Sequence, residues 1–331
     1  MDIGGSRDAG VKGGISARQL DAALSQINKI TNNVAQVIYG KRKVIEQVLI
    51  GLLADGHVLL EDVPGVGKTM LARALAKSVS ADFRRIQFTP DLLPADVTGS
   101  NTYNQKTQEF SFRRGPIFAH IVLADEINRT SPRTQSALLE GMEERQVTVD
   151  GVSYPLPRPF FVIATQNPIE HQGTYDLPEA QLDRFMLRVK IGYPAVTDEA
   201  DILEAQREVH PVHDLQPVST PQEIVGLQEL VRSVFVKPSL RTYIVELSAA
   251  SRDQTDVLVG VSVRGSQQLM RSAQALALIS HRDYVIPDDI QEIARVCLPH
   301  RLVIRGEARL AGVAEEAVVE NLLREVPVPP Q

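Results

Sequence analysis

The chain has 331 residues, 43% of them hydrophobic and 23% charged, and a formal charge of −6. That length allows about two domains, and the acidic balance argues against a general nucleic-acid binder, because no net positive field gathers phosphates. No apolar run reaches the ~18 residues of a membrane span, and the single cysteine, Cys297, excludes an intrachain disulfide and fits a reducing cytoplasm.

The glycine-rich opening, residues 1–14, lacks the apolar centre of a signal peptide and reads as a mobile tail. From Ser16 onward, Leu20, Leu24, Ile27, Ile30 and Val34 recur at helical spacing, and a second helix is predicted over 42–53 after the turn at Tyr39-Gly40. His57-Val58-Leu59-Leu60 is apolar enough for a buried strand. The run Asp62-Val63-Pro64-Gly65-Val66-Gly67 breaks that strand, and residues 70–77 are rich in strong helix formers.

A strand, a glycine loop and a helix N-terminus together form an anion site, with backbone N–H groups and the positive end of the helix dipole aimed at the ligand. Gly65 and Gly67 let backbone approach a phosphate. Lys68 is placed to reach the β- and γ-phosphates and the Thr69 hydroxyl to ligate Mg²⁺. The loop departs from G-x-x-x-x-G-K-[ST] at one place, where Asp62 stands for the first glycine.

Beyond this helix, residues 83–88 alternate like a strand, 90–99 are too long and apolar for a plain connection, and 109–113 alternate again. An inserted helix-and-hairpin is the expectation. Residues 118–124 form an apolar strand ending in Asp125-Glu126. Pro132 opens a helix running to about 144, and 147–154 read as a hairpin turning at Asp150-Gly151. Residues 160–165 are a buried strand stopped by Gln166-Asn167-Pro168, and 186–191 close the region. Apolar strands alternating with helices imply α/β architecture, a parallel sheet covered on both faces. After Tyr193-Pro194 no further buried strand is expected. Helices are predicted from Thr220, Pro238, Arg264 and Pro287, which gives a tail (1–14), a nucleotide-binding domain (15–194) and a helical domain (195–331).

At the carboxyl end of a parallel strand, Asp125 and Glu126 face the crevice where ligands bind. Asp125 suits the metal shell, and Glu126 suits orienting or deprotonating a water. An acidic pair serving only a helix dipole is the alternative, which the phosphate loop upstream disfavours. Asn167 offers a carboxamide to a water, or simply ends a strand. Arg184 is either a solvated surface charge or a fork for spread phosphate charge. His210 and His213 lie three apart with no third ligand visible nearby, which argues against zinc. Cys297, in an apolar flank, reads as a small core residue.

The segments 63–69, 123–129, 164–168 and 179–185 together closely resemble the MoxR family of AAA+ ATPases, a similarity that covers nearly the whole chain from about Ser16 and is densest from 59 to 190. The resemblance implies an αβα sandwich around a parallel five-stranded sheet, a helical lid, and a ring, usually a hexamer, that hydrolyses ATP with Mg²⁺. It makes Pro64, Gly65, Val66, Gly67, Lys68, Thr69 and Met70 the nucleotide loop, with Thr69 and Asp125 toward the metal. Asp125-Glu126 become the Walker B pair, Asn167 sensor 1, and Arg184 the finger offered to a neighbour's ATP. The family's helix-2 insert falls near 92–98 and its pre-sensor hairpin at 147–154. Arg264 matches sensor 2, the lid's contact to the γ-phosphate, although Val263 stands where proline is usual. Tyr39-Gly40 match the segment beside adenine, with Lys41 where glutamine is common. The resemblance further suggests chaperone-like maturation of protein complexes, often with a partner carrying a von Willebrand factor A domain, and leaves the client unnamed. Two other readings fit the residues: a nucleotide-gated adaptor with incidental turnover, and a nucleic-acid motor, which the acidic balance and the absence of tryptophan disfavour.

Overall fold

A computed structural model describes residues 14–63, 65–106, 108–167, 174–205 and 211–330. Residues 1–13 of the expected tail, Pro64, Pro168 and His210 lie outside the described residues. Helix α1 (Ala17–Ala35) begins at a capping box in which the Ser16 hydroxyl accepts from the Gln19 N–H and the Gln19 side chain accepts from the Ser16 N–H. It buries Ile27, Ile30 and Val34, the predicted stripe. Helix α2 (Arg42–Leu53), strand β1 (Val58–Glu61), helix α3 (Lys68–Ser78) and strand β2 (Phe83–Gln87) follow.

The expected insert is present as α4 (Pro94–Thr98) and the antiparallel pair β3 (Gly99–Asn104) and β4 (Glu109–Arg114). Strand β5 (Ile121–Asp125) leads into α5 (Pro132–Glu144), and β6 (Gln146–Val149) pairs with β7 (Val152–Pro155) around Asp150-Gly151. Strand β8 (Phe161–Gln166), the short α6 (Glu179–Leu182) and β9 (Leu187–Val189) complete the first region. Five strands form one sheet in the order β2-β5-β8-β1-β9, every pair parallel.

Alternation along the strands explains why the sheet needs cover on both faces. Val58 and Leu60 enter one apolar cluster with α1, α2 and α3, while Leu59 enters another with α4 and α5. All three residues are fully buried, so truncating Leu59 to alanine costs about 2–5 kcal/mol.

The remaining chain is α7 (Val196–Ala205), α8 (Pro221–Ser233), α9 (Pro238–Asp253), β10 (Val257–Val259), α10 (Val263–Ile279), α11 (Pro287–Cys297), β11 (Val303–Ile304), α12 (Gly306–Leu310) and α13 (Glu315–Glu325). The Thr220 capping box forms as predicted, with Glu223 accepting from the Thr220 N–H at 2.8 Å. The antiparallel pair β10–β11 corrects the expectation of an all-helical region. It is too short for alternation to register: three residues face two, and Leu258 and Val259 point outward. Apolar residues of α8–α11, among them Leu269, Ala273 and the fully buried Cys297, belong to the same cluster as α1–α3. The two regions therefore share one core, and the architecture changes near residue 194 without a break in packing.

Candidate nucleotide site

Gly65 and Gly67 both adopt left-handed backbone, at φ +88° and +91°, where a side chain would be strained. Open space surrounds both Cα atoms on the side a Cβ would occupy. Gly67 caps α3, so the unpaired N–H groups of the first helical turn, which begins with Lys68 and Thr69, point out of the loop. A cavity of about 290 Å³ adjoins this turn. Tyr39 lines it together with Gly65, Val66, Gly67 and Met70, so most of the residues predicted to hold nucleotide face one space. Pro194 and Ile202, which the sequence did not single out as ligand contacts, line it too, with Val37, Ile38 and Lys41. Gly40 presses so closely on Asp198 of α7 that a Cβ there would overlap its carboxylate.

Asp125 ends β5 and Glu126 follows it in left-handed backbone at φ 57°. Thr165 of β8 organises both: its hydroxyl donates to Asp125 Oδ1 at 2.7 Å and accepts the Glu126 N–H at 2.8 Å. Arg85 of β2 donates to Asp125 Oδ2 through Nε at 3.0 Å and Nη2 at 2.6 Å. Gln87, two residues along, donates to Glu126 Oε2 at 2.7 Å, and Arg129 reaches the same oxygen at 3.0 Å. Asn167 is buried just past the end of β8. Lys68 belongs to this group electrostatically. Burial lowers its pKa, and the charges of Asp62, Asp125 and Glu126 act in the opposite direction.

A hydroxyl at Thr69 and a carboxylate at Asp125 are hard oxygen donors of the kind Mg²⁺ takes when phosphates and waters supply its other ligands, so the residues fit that ion. The carboxylate is already oriented by Arg85 and Thr165, as an outer-shell arrangement requires.

Arg184 and Arg264 lie elsewhere. Both pair with Glu143, Arg184 at 3.3 Å and Arg264 more closely, and Arg184 also donates to the Leu139 carbonyl at 2.7 Å. Helix α5 starts beyond the carboxyl end of β5 and returns for 13 residues, about 18–20 Å, which carries Glu143 to the opposite edge of the sheet. Arg184 and Arg264 line a second cavity, of about 650 Å³, with Asp55 and His57, which precede β1, whereas the phosphate loop follows it. Arg145, Arg232 and Arg271 line the same space, so five guanidinium groups face the two carboxylates of Asp55 and Glu143.

Sequence reasoning missed Arg85, Gln87, Thr165 and Glu143. Only the neighbouring strand positions hinted at the first three: Gln87 sits beside Asp125 in the parallel register.

Among the described residues no helix is long and apolar enough to cross a membrane. Residues 57–187 match the ATPase family associated with various cellular activities (AAA), and 249–322 match the AAA lid domain. The uncharacterised protein YeaC of Bacillus subtilis is 55% identical over 92% of this chain and 95% of its own. Chaperone MoxR1 of Mycobacterium tuberculosis is 41% identical, covering 95% of this chain and 85% of its own. A crystal structure described as an ATPase of Cytophaga hutchinsonii superposes with a TM-score of 0.88 at 38% identity, over 95% of this chain and 98% of that one. With the five-stranded parallel sheet, the helical lid and these likenesses together, the chain belongs to the MoxR family of AAA+ ATPases.

Proposed function

We propose that this protein hydrolyses ATP with Mg²⁺ in a ring of identical subunits, a hexamer by family likeness. The nucleotide-binding region is 15–194 and the lid is 195–331. Adenine lies against Tyr39 and Gly40, and the triphosphate against Pro64, Gly65, Val66, Gly67, Lys68, Thr69 and Met70. Magnesium held by Thr69 and Asp125 would neutralise charge on the β- and γ-phosphates. Glu126 takes the proton of the attacking water and Asn167 aligns it.

One observation carries the reading. Lys68 shares its electrostatic surroundings with Asp125 and Glu126, while Arg184 and Arg264 stand together at the far edge of the sheet. Strand β1 alone separates the two edges by about 13 Å, further than an arginine side chain reaches, so each subunit offers both arginines to a neighbour's γ-phosphate. From the sequence, Arg264 is the lid residue that contacts the γ-phosphate and couples lid to core; its pairing with Arg184 on Glu143 supports making that contact in trans.

In the cell the protein is chaperone-like, as the name of the M. tuberculosis relative suggests, and we read it as maturing protein complexes in the cytoplasm with a partner carrying a von Willebrand factor A domain. The decisive experiment mixes subunits. Glu126→Gln should keep ATP affinity while turnover falls about 10²- to 10⁴-fold. Neither Arg184→Ala nor Arg264→Ala rings should turn over, and adding Glu126→Gln subunits with intact arginines should restore activity to both. Failure of rescue would place the arginines in cis and overturn the ring mechanism.

A further inference from the structure

We propose that Asp62, the residue that replaces the usual first glycine of the phosphate loop, couples that loop to the turn from which the lid departs. The inference rests on the nucleotide reading above and assigns it a positioning residue.

Every polar group of Asp62 is engaged. Its carbonyl accepts from Lys68 Nζ at 2.5 Å, and its N–H donates to the Gln166 carbonyl, next to Asn167, at 3.3 Å. One carboxylate oxygen accepts the Val63 N–H at 2.8 Å, and the other accepts the Gly192 N–H at 2.5 Å. Gly192 lies between β9, the last strand of the sheet, and α7, the first helix of the lid, with left-handed backbone at φ +66°. Glycine there permits a large dihedral change, which is what a hinge needs. Glycine at position 62 could make none of the carboxylate bonds.

The peptide group two further along is gripped as well. Lys41 Nζ donates to the Tyr193 carbonyl at 2.7 Å, and Lys41 follows the Tyr39-Gly40 segment. Pro194 and Ile202 then line the cavity beside the phosphate loop. The start of the lid is thus held at two points, by Asp62 at the head of the phosphate loop and by Lys41, which lines the cavity beside Tyr39. These are two of the positions at which the sequence departs from the common pattern. A phosphate that draws on the Lys68 ammonium pulls on Asp62, and Asp62 passes the displacement to Gly192.

The test uses the full-length protein with ATP and Mg²⁺, reading steady-state turnover, ATP affinity, and amide hydrogen exchange over 190–196 with and without nucleotide. For Asp62→Gly, which restores the common loop residue, ATP affinity should stay within threefold. Its kcat should fall at least tenfold, and the ATP-dependent change in exchange at 190–196 should vanish. Asp62→Asn keeps one acceptor oxygen where two are used and should fall between. Lys41→Met should weaken the exchange response in the same direction. Thermal unfolding without nucleotide, unchanged in Asp62→Asn, shows that the fold is intact.

An Asp62→Gly protein with wild-type turnover and exchange response overturns the proposal. So does one whose defect is a tenfold or greater loss of ATP affinity, since that confines Asp62 to shaping the loop. A wild-type protein without any ATP-dependent exchange change at 190–196 also overturns it. Absence of hydrolysis in the wild type would instead sink the ATPase reading, because the exchange response needs binding alone.

Discussion

Arg184 and Arg264 converge on one carboxylate, that of Glu143 near the end of α5. Two guanidinium groups on one anion leave a net positive pair, and the shared partner fixes their spacing before any phosphate arrives. Glu143→Gln preserves the shape while removing the charge that gathers them. The expected result is a kcat lowered about tenfold with KM for ATP within threefold, a fraction of the ~100-fold that an ångström of misplacement can cost. Steady-state ATPase assays check it, and an unchanged kcat would mean that Glu143 organises nothing in the reaction.

The donors on Glu126 carry a second expectation. Gln87 and Arg129 both reach Oε2, and Gln87 also accepts from Arg85, which grips Asp125. Strand β2 therefore holds both acidic residues through two side chains on the same face. Gln87→Ala frees one side of Glu126 and should lower turnover roughly tenfold, the loss expected when a general base is no longer aimed. Equilibrium ATP binding should not move, because Gln87 bonds to Glu126 and Arg85 and does not line the cavity beside the phosphate loop.

How much of this was legible in the sequence follows from the range of the interactions. The phosphate loop and the buried strands stand out because their causes are local: glycines at positive φ and mostly apolar strands of four to six residues. The hold of Arg85 on Asp125 was invisible, since the strands that carry them are joined only after the intervening α4–β3–β4 insert. Glu143 belongs to no motif, and only the direction of α5 brings it beside a lid that starts far along the chain. The pair β10–β11 escaped because two or three residues cannot display a period.

Arg301 fastens the lid to the turn that carries Arg184. Its buried guanidinium lies 3.2 Å from Asp183, at an angle too bent for a hydrogen bond, and donates to the Phe185 carbonyl at 2.6 Å and to the Cys297 carbonyl. Ser262 caps α10 and also donates to Asp183, at 3.0 Å. Arg301→Met should cost about 3–5 kcal/mol, because it strips one partner from a largely buried carboxylate. Urea unfolding measures the loss. Combining it with Asp183→Asn should cost clearly less than the two single changes added together, and strict additivity would refute the coupling.

Stability should fall in mild acid through two buried histidines. His57 is satisfied as a neutral ring, with Nδ1 accepting the Val162 N–H at 3.0 Å and Nε2 donating to the Met142 carbonyl at 3.1 Å. Burial, then the Arg145 charge, pushes its pKa well below the ordinary 6.5, and burial with neighbouring Arg301 does the same to His300. The sign follows from the protons taken up. Below pH 6.5 the unfolded chain binds protons at both rings while the folded chain refuses them, so stability is full above that pH and drains as pH falls toward the depressed folded values. Each ring contributes a slope of about 1.4 kcal/mol per pH unit once its unfolded form is protonated. His57→Gln retains a donor and an acceptor but does not titrate. Denaturant unfolding across pH 7.5 to 5 should therefore show a variant whose slope is shallower than wild type by about one proton, while parallel curves would mean that His57 is protonated in the folded protein.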